Sequence, residues 1–359
     1  MLVLGIDTSC DDTSAAVVED GCRIISNIVS GQEEIHVKYG GIVPELASRQ
    51  HIEMIAPVVD EALKTAGITL DDLGAVAVCF APGLIGSLLV GCSFAKALSY
   101  ARKIPLVAVN HLEGHLLSPF LQSPQPEFPF LSLVVSGGHT SIYAAEDFGR
   151  YIELGRTRDD AAGEAYDKVS KMLGLGYPGG PLIDRLAAAG NPTAIAFPRA
   201  YLPESLDFSF SGLKTAVLNY VRREKINMKS QLPVVSPVVS AGSLSVSAQS
   251  LIPGSQSRIE DVAASFQEAV LDVLVTKAQW AVEQKGIRRV ALAGGVAANS
   301  GLRKRMQEMG EEHGVQVFVP PPSLCTDNAA MIAVAGYHRA LKHEFSGPDL
   351  NPRAHLPLG

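Results

Sequence analysis

The stretch Leu2-Val3-Leu4-Gly5-Ile6-Asp7-Thr8-Ser9-Cys10-Asp11-Asp12-Thr13-Ser14-Ala15-Ala16-Val17-Val18 decides how the rest of the chain is read. Leu2 to Ile6 is a short apolar run with the signature of a buried strand, and Ser14 to Val18 reads as its return strand. Between them, small hydroxyl and acidic residues place backbone N–H groups and oxygens where they can hold a phosphate or its metal. A plain surface hairpin would look the same. The pattern recurs as Leu131-Ser132-Leu133-Val134-Val135, then Ser136-Gly137-Gly138-His139, then Thr140-Ser141-Ile142-Tyr143. A shift of 127 residues lays Ser9 on Ser136, Thr13-Ser14 on Thr140-Ser141, and Glu19-Asp20 on Glu146-Asp147. Ser123-Pro124-Gln125-Pro126-Glu127-Phe128-Pro129 is a linker between the copies. Two related halves, each starting strand–turn–strand and facing a shared cleft, follow from that repeat.

The intervening chain alternates strand and helix. Pro44 to Ala66 is helical, with Leu46, Ile52, Ile55, Val59 and Leu63 on one stripe and Pro57 as a kink site. Ala75 to Val78 is a strand, Gly86 to Ala101 an apolar and hence buried helix, and Ile104 to Val109 a further strand. The class is α/β with parallel pairing. Residues 230–257 hold no charged side chain and are dense in serine and proline, which predicts a flexible insertion. Ile259 to Gln284 is a long amphipathic helix. Arg289 to Ala293 is a strand, followed by Gly294-Gly295-Val296-Ala297-Ala298-Asn299 and a helix from Ser300 to Met309, an arrangement suited to nucleotide phosphates. The P-loop lysine is absent and G-x-G-x-x-G is not matched.

The 359 residues suffice for two cores, and 47 % apolar with 19 % charged residues describes a globular chain. A net charge of -7 gives no global attraction to nucleic acid. RNA phosphates would have to dock on local clusters: Arg156 with Arg158, Arg222-Arg223 with Lys225, Arg288-Arg289, or Arg303 to Arg305. Each cluster can also be a solvated face. Five cysteines without a C-x-x-C pair fit a reducing compartment. No secretory signal pattern or membrane-length apolar run is present, so the expected location is cytoplasmic.

Chemistry concentrates in Asn110-His111-Leu112-Glu113-Gly114-His115. Histidines four apart lie on one helical face, the usual half of a metal site, with Asp327 an available carboxylate downstream. Two imidazoles and a carboxylate leave open positions, which suits Fe(II), Zn or Mn with an exchangeable ligand. Asp327 could equally be an N-cap for a helix from Asn328 to Lys342, and Glu113 either supports the site or is solvated. A zinc protease needs glutamate directly after the first histidine, and here Leu112 stands there. A kinase-like or chaperone ATPase would share a two-lobed cleft without needing the histidine pair. Asp7, Asp11, Asp12, Asp159, Asp160, Asp167 and Asp184 are the carboxylates near the glycine turns, with Asp184 read in the first turn of a helix from Leu182. Some of them must be turn formers.

Taken together, Gly5 to Thr13, His111 to His115, Val135 to Thr140, Asp159 to Lys168, Gly179-Gly180-Pro181, Phe208 to Lys214, Gly294 to Asn299 and Thr326-Asp327-Asn328 resemble the bacterial TsaD family, also called Gcp or YgjD. The resemblance covers residues 1–225 and 258–343, and the serine-rich insertion departs from the family pattern. It implies two duplicated ribonuclease-H-like lobes of the actin-like/Hsp70/sugar-kinase ATPase superfamily. The first lobe would span 1–122, completed by the C-terminal helix at 325–345. The second would span 123–324, and 346–359 would be a tail. The implied activity is transfer of a threonylcarbamoyl group from threonylcarbamoyl-AMP to N6 of the adenosine 3′ of the anticodon, in tRNAs reading codons that begin with A. Carried over residue by residue, His111, His115 and Asp327 are the expected metal ligands, with Fe2+ the family's ion and Zn2+ a possible substitute. Val135, Ser136, Gly137, Gly138, His139, Asp167, Gly180, Asp184 and Asn299 are the expected substrate contacts, in a cleft that ATP or ADP could also enter. The acceptor amine is a weak nucleophile, so a base is expected, and Asp11 is the candidate. A TsaB-like paralogue, a TsaE-like ATPase and a donor-making TsaC-like enzyme are the expected partners.

Overall fold

The computed structural model describes residues 1–224, 226 and 256–358. Most of the expected insertion at 230–257 lies outside the described residues. The first five strands are β1 (Leu2–Asp7), β2 (Thr13–Glu19), β3 (Arg23–Ser30), β4 (Leu73–Ala81) and β5 (Leu106–Asn110). They form a sheet in the order β3-β2-β1-β4-β5, with β1–β2 and β2–β3 antiparallel and β1–β4 and β4–β5 parallel. The next five are β6 (Phe130–Val135), β7 (Thr140–Asp147), β8 (Arg150–Arg156), β9 (Arg289–Ala293) and β10 (Gln316–Phe318). Their sheet, β10-β9-β6-β7-β8, repeats every pairing sense of the first. β1 maps to β6 with an offset of 128 residues, while β2 maps to β7 with 127, because the second turn is one residue shorter.

The helices that matter to the cleft are α1 (Pro44–Ala66), α2 (Ile85–Arg102), α3 (His111–Leu117), α4 (Ala162–Met172), α5 (Gly179–Ala187), α6 (Ser211–Arg223), α7 (Gln256–Lys285), α8 (Ser300–His313) and α9 (Ala329–Leu341). Strand alternation sorts side chains into separate cores. Leu4, Ile6, Val76 and Val78 face an outer layer with Ile55, Val59 and Cys92 of α1 and α2. Val3, Ala75, Ala77 and Cys79 face inward against α3 and α9, which also meet Val134, Tyr143, Ala291 and Ala293 of the second sheet. α3 and α9 are therefore a shared filling between the sheets. Small residues permit this: a Cβ on Gly5 would stand 2.2 Å from the Ala329 carbonyl oxygen, so β1 and α9 touch backbone to backbone.

Several expectations shift. α1 runs unbroken through Pro57, and its stripe does not all face the core, since Ile52 is 65 % exposed. α2 is not buried all round, because Ile85 and Leu89 face outward. The residues after α9 do not hang free. The Arg353 N–H donates to Phe80 O at 2.9 Å, the Gly83 N–H to Ala354 O at 3.2 Å, and Leu358 is buried in the central core. Among the described residues no helix is long and apolar enough to cross a membrane.

Candidate metal centre and ligand cleft

The strand β5 ends at Asn110, whose side chain accepts the Leu112 N–H at 2.9 Å and starts α3. That cap fixes the phase of the helix, so His111 and His115 point the same way, with ring centroids 4.6 Å apart. Asp327 reaches in just ahead of α9. Its Oδ1 lies 3.1 Å from His115 Nε2 and 3.6 Å from His111 Nε2. Asp327 does not cap α9; Asn328 does, accepting the Met331 N–H at 3.3 Å. The carboxylate is left available because its neighbour performs the capping.

His111 is held from behind. Its Nδ1 lies 3.1 Å from Ser9 Oγ and 3.4 Å from Asp7 Oδ2, both on the first turn. Asp7 and Ser9 are the residues sequence reasoning missed in this role: an acid and a serine in a turn read as turn formers. The available signal was their position directly after a buried strand. Burial opposes charge on His111, but Asp327 and Asp7 outweigh it and raise its pKa to about 9. Burial pushes His115 downward despite Asp327, and the two imidazoles help hold Asp327 well below the usual carboxylate range against its own desolvation.

Among the described residues, two donor sets are close enough to hold a metal ion: Asp7, Cys79 and His111, and His111, His115 and Asp327, with the ligand atoms of each set within 4.8 Å of one another. The second fits better. Desolvation raises the Cys79 thiol well above its usual range, and His111 can turn only Nδ1 toward that side. On the other side, two Nε2 atoms and one carboxylate oxygen converge. A carboxylate behind a ligating imidazole, as Asp7 stands behind His111, is the usual outer support of such a site. Glu113 does not join it. It is buried, bonded to Arg339 at 2.8 Å and to the Tyr151 hydroxyl at 3.2 Å, and it ties α3 to α9.

Beside this centre lies a cavity of about 650 Å³ whose lining includes Gly137, Asp167, Gly180, Asp184, Gly295 and Asn299. A Cβ added at Gly137, Gly138, Gly180 or Gly295 would meet nothing within 4 Å. These glycines are not demanded by packing; they leave room. By contrast, Gly294 has φ +86° and sits against the backbone of Val135, so packing and conformation both require glycine there. Among the described residues neither the Gly137 nor the Gly138 N–H donates to another backbone group.

The remaining expected contacts are partly engaged. Val135 is buried in a core, while the Ser136 carbonyl accepts the Gly163 N–H at 3.2 Å. His139 is pushed down to about 4 by burial and by the two nearby histidines. Asp167 accepts the Gly179 N–H at 2.7 Å, and burial raises its pKa. Asp184 lies in the second turn of α5, not the first, because the helix begins at Gly179; it accepts from Ser300 and Gln267. Asn299 caps α8 and donates to Gln267. Asp11 is half-buried at the cleft, close enough to Asp167 and Tyr177 to raise their pKa values. Asp159 caps α6, and Asp160 pairs with Lys168 and Lys214, so neither serves the cleft. Arg303 is bound to Pro320 O and Arg305 to Glu268 and Asp272, which removes most of one candidate RNA cluster.

Residues 23–334 match the family profile TsaD, described as tRNA N6-adenosine threonylcarbamoyltransferase. A protein of that name from Thermodesulfovibrio yellowstonii is 56 % identical over the full length of both chains. Another from Clostridioides difficile is 49 % identical over 100 % of this chain and 98 % of its own. Among solved structures, full-length HypF in its phosphate- and nucleotide-bound form aligns with TM-score 0.57 at 13 % identity, over 95 % of this chain and 46 % of that one. Component A of (R)-2-hydroxyglutaryl-CoA dehydratase from Acidaminococcus fermentans aligns at TM-score 0.52 and 14 % identity, over 95 % of this chain and 99 % of that one. These two share the fold, the duplicated α/β architecture of actin-like ATPases.

Proposed function

The chain belongs to the TsaD family of tRNA N6-adenosine threonylcarbamoyltransferases, and from that premise we propose how its cleft carries out the transfer. The protein is a transferase that forms N6-threonylcarbamoyladenosine in tRNA, moving the threonylcarbamoyl group from threonylcarbamoyl-AMP to the adenosine 3′ of the anticodon in tRNAs reading codons that begin with A.

The observation that carries the proposed mechanism is the convergence of His111, His115 and Asp327 beside a cavity left open by glycines. These three residues would hold one divalent metal; two imidazoles with one carboxylate suit Fe(II), Zn or Mn, and the family resemblance selects Fe2+, with Zn2+ a possible substitute. When bound, that ion supplies Lewis-acid polarisation and neutralises charge on the leaving phosphate. The donor lies in the adjacent cavity against Gly137, Asp167, Gly180, Asp184 and Asn299, with ATP or ADP able to compete there, whereas Val135 is packed in the core and Gly138 and His139 line the other flank of the turn. Gly137 and Gly138 offer their N–H groups to oxygens that gain charge as the anhydride breaks. Those donors need no reorganisation because the turn is fixed by the Ser136–His139 backbone bond at 2.8 Å. Asp11 takes the proton that the adenosine amine loses.

A TsaB-like paralogue fits the outer face of the first lobe, where Ile52, Ile85 and Leu89 of α1 and α2 stand exposed. A TsaE-like ATPase and a TsaC-like donor-making enzyme complete the system, in the cytoplasm. The test incubates the purified chain with threonylcarbamoyl-AMP and unmodified tRNA, with and without those partners, and analyses digested tRNA by mass spectrometry. N6-threonylcarbamoyladenosine formed only with metal-loaded protein is expected. Equal yield after the metal is stripped would refute the metal's role. Asp11→Ala should bind donor normally and slow single-turnover transfer; an unchanged rate removes Asp11 as the base.

A further inference from the structure

The cavity assigned to the donor occupies only one flank of the Ser136–His139 turn. On the other flank lies a second cavity of about 620 Å³, within the roughly 300–1,000 Å³ typical of small-molecule sites. Gly137 lines the first cavity and Gly138 the second. At these two positions no side chain stands between the cavities.

The second cavity has a different chemistry. Arg156 and Arg158 are exposed at its rim, and Arg158 is aimed by Asp207, its Nε donating at 2.8 Å. Inside, His139 and the buried Tyr143 line the wall, and the Tyr143 hydroxyl bonds Glu153 at 3.5 Å. The far wall is the C-terminal segment bearing His355. It is pinned by the Gly83–Ala354 bond, by Asn110 Nδ2 donating to Leu356 O at 3.4 Å, and by buried Leu358. Asn110 is also the cap of α3, so one residue joins this wall to the helix that carries His111 and His115.

We propose that this second cavity receives the acceptor adenosine of the tRNA, with His139 and His355 against its base and Arg156 and Arg158 on the flanking phosphates. The assignment rests on the transferase reading given above. A loop nucleotide leaves its stack at modest cost, and splayed bases are gripped by aromatic and imidazole faces while arginines hold the backbone. Transfer requires the donor carbon and the acceptor nitrogen to meet, and at Gly137 and Gly138 no side chain adds to the wall between the two cavities. In the step, the N6 lone pair bonds to the carbamoyl carbon, the carbon–oxygen bond to phosphate breaks, AMP leaves with that electron pair, and the N6 proton passes to Asp11.

The test uses the full chain with its partners. Arg156→Gln with Arg158→Gln should raise the KM for tRNA and lower the slope of log affinity against log salt by about one for each arginine removed. Affinity for threonylcarbamoyl-AMP and metal content should match wild type. His355→Trp, which fills the mouth, should raise the tRNA KM without changing donor affinity. A tRNA with a photoreactive nucleoside at the acceptor position should crosslink to residues 139–143 or 353–358. Crosslinks confined to the donor cavity, or an arginine variant with wild-type KM and salt slope, overturn the assignment while the transferase reading stands. A wild-type chain that modifies no tRNA overturns both.

Discussion

The turns that follow the first strand of each sheet occupy matching places in matching topologies and contribute opposite things. The turn after β1 contributes side chains: Asp7 and Ser9 are buried against His111 Nδ1, and Asp11 faces the cleft. The turn after β6 contributes main chain: Val135 stands where the first copy has Asp7, and Gly137 and Gly138 are exposed with space where their Cβ atoms would be. A duplicated scaffold has thus divided the labour. One half holds the histidine arm through side chains, and the other leaves the Gly137 and Gly138 N–H groups without a backbone acceptor among the described residues. The harshest way to break this contrast is His115→Ala, which removes a proposed ligand outright. Metal measured by mass spectrometry should be lost, and transfer should fall at least about 100-fold, given the several kcal/mol a Lewis acid supplies. A variant that retains both metal and rate would dissolve the side-chain half of the comparison.

Much of this is legible in the amino-acid sequence. Apolar runs around a polar turn marked β1 and β2, and the 127-residue shift marked β7 as the partner of β2, because Thr13 and Thr140 both begin strands. The shift missed β1 against β6 by one residue, since a shortened turn is invisible to a fixed offset. Histidines four apart on a helix after a strand were readable from periodicity alone. Asp327 was not: it and Asn328 are both good N-caps, and only packing shows that Asn328 caps and leaves Asp327 against His115. Glu113 was undecidable for the same reason, as its partner Arg339 lies 226 positions away. The C-terminal wall was unreadable because its anchors, apart from Leu358 and the Asn110 side chain, are backbone carbonyls and amides, which every sequence has.

Asp7→Asn sharpens the contrast more gently. Loss of a supporting carboxylate behind a ligating imidazole costs about 10–100-fold in metal affinity. It also carries a pH signature. In the metal-free fold Asp327 and Asp7 hold a proton on His111 against the penalty of burial, with a pKa raised to about 9. Metal must displace that proton, so affinity should climb with pH up to that value, roughly tenfold per unit for one proton released. Removing the Asp7 charge should move the upper break of this profile to lower pH. Titration of metal into stripped protein at several pH values measures both effects. An affinity flat between pH 6 and about 8 would show that His111 holds no proton to displace.

The smallest effect tests the second turn, through two glycines that sequence alone cannot tell apart. A Cβ at Gly163 would lie 2.5 Å from the Ser136 carbonyl oxygen and 2.8 Å from Gly137 Cα, so Gly163→Ala forces the turn off α4 and should cost about 1–3 kcal/mol of stability. Gly137 is not among the glycines with left-handed φ, and its Cβ would meet nothing. Gly137→Ala should therefore stabilise the fold by about 0.4–1 kcal/mol, by restricting the unfolded chain. The same methyl group enters the space assigned to the donor, and affinity for threonylcarbamoyl-AMP should drop about tenfold, or 1.4 kcal/mol. Stability and binding then move in opposite directions from one added carbon, which is the mark of a glycine kept for a ligand instead of for the fold. Denaturant unfolding and calorimetric titration on the two variants read both signs. If Gly137→Ala binds donor as well as wild type, the second turn does not present its main chain to the donor, and the division between the two lobes fails on that side.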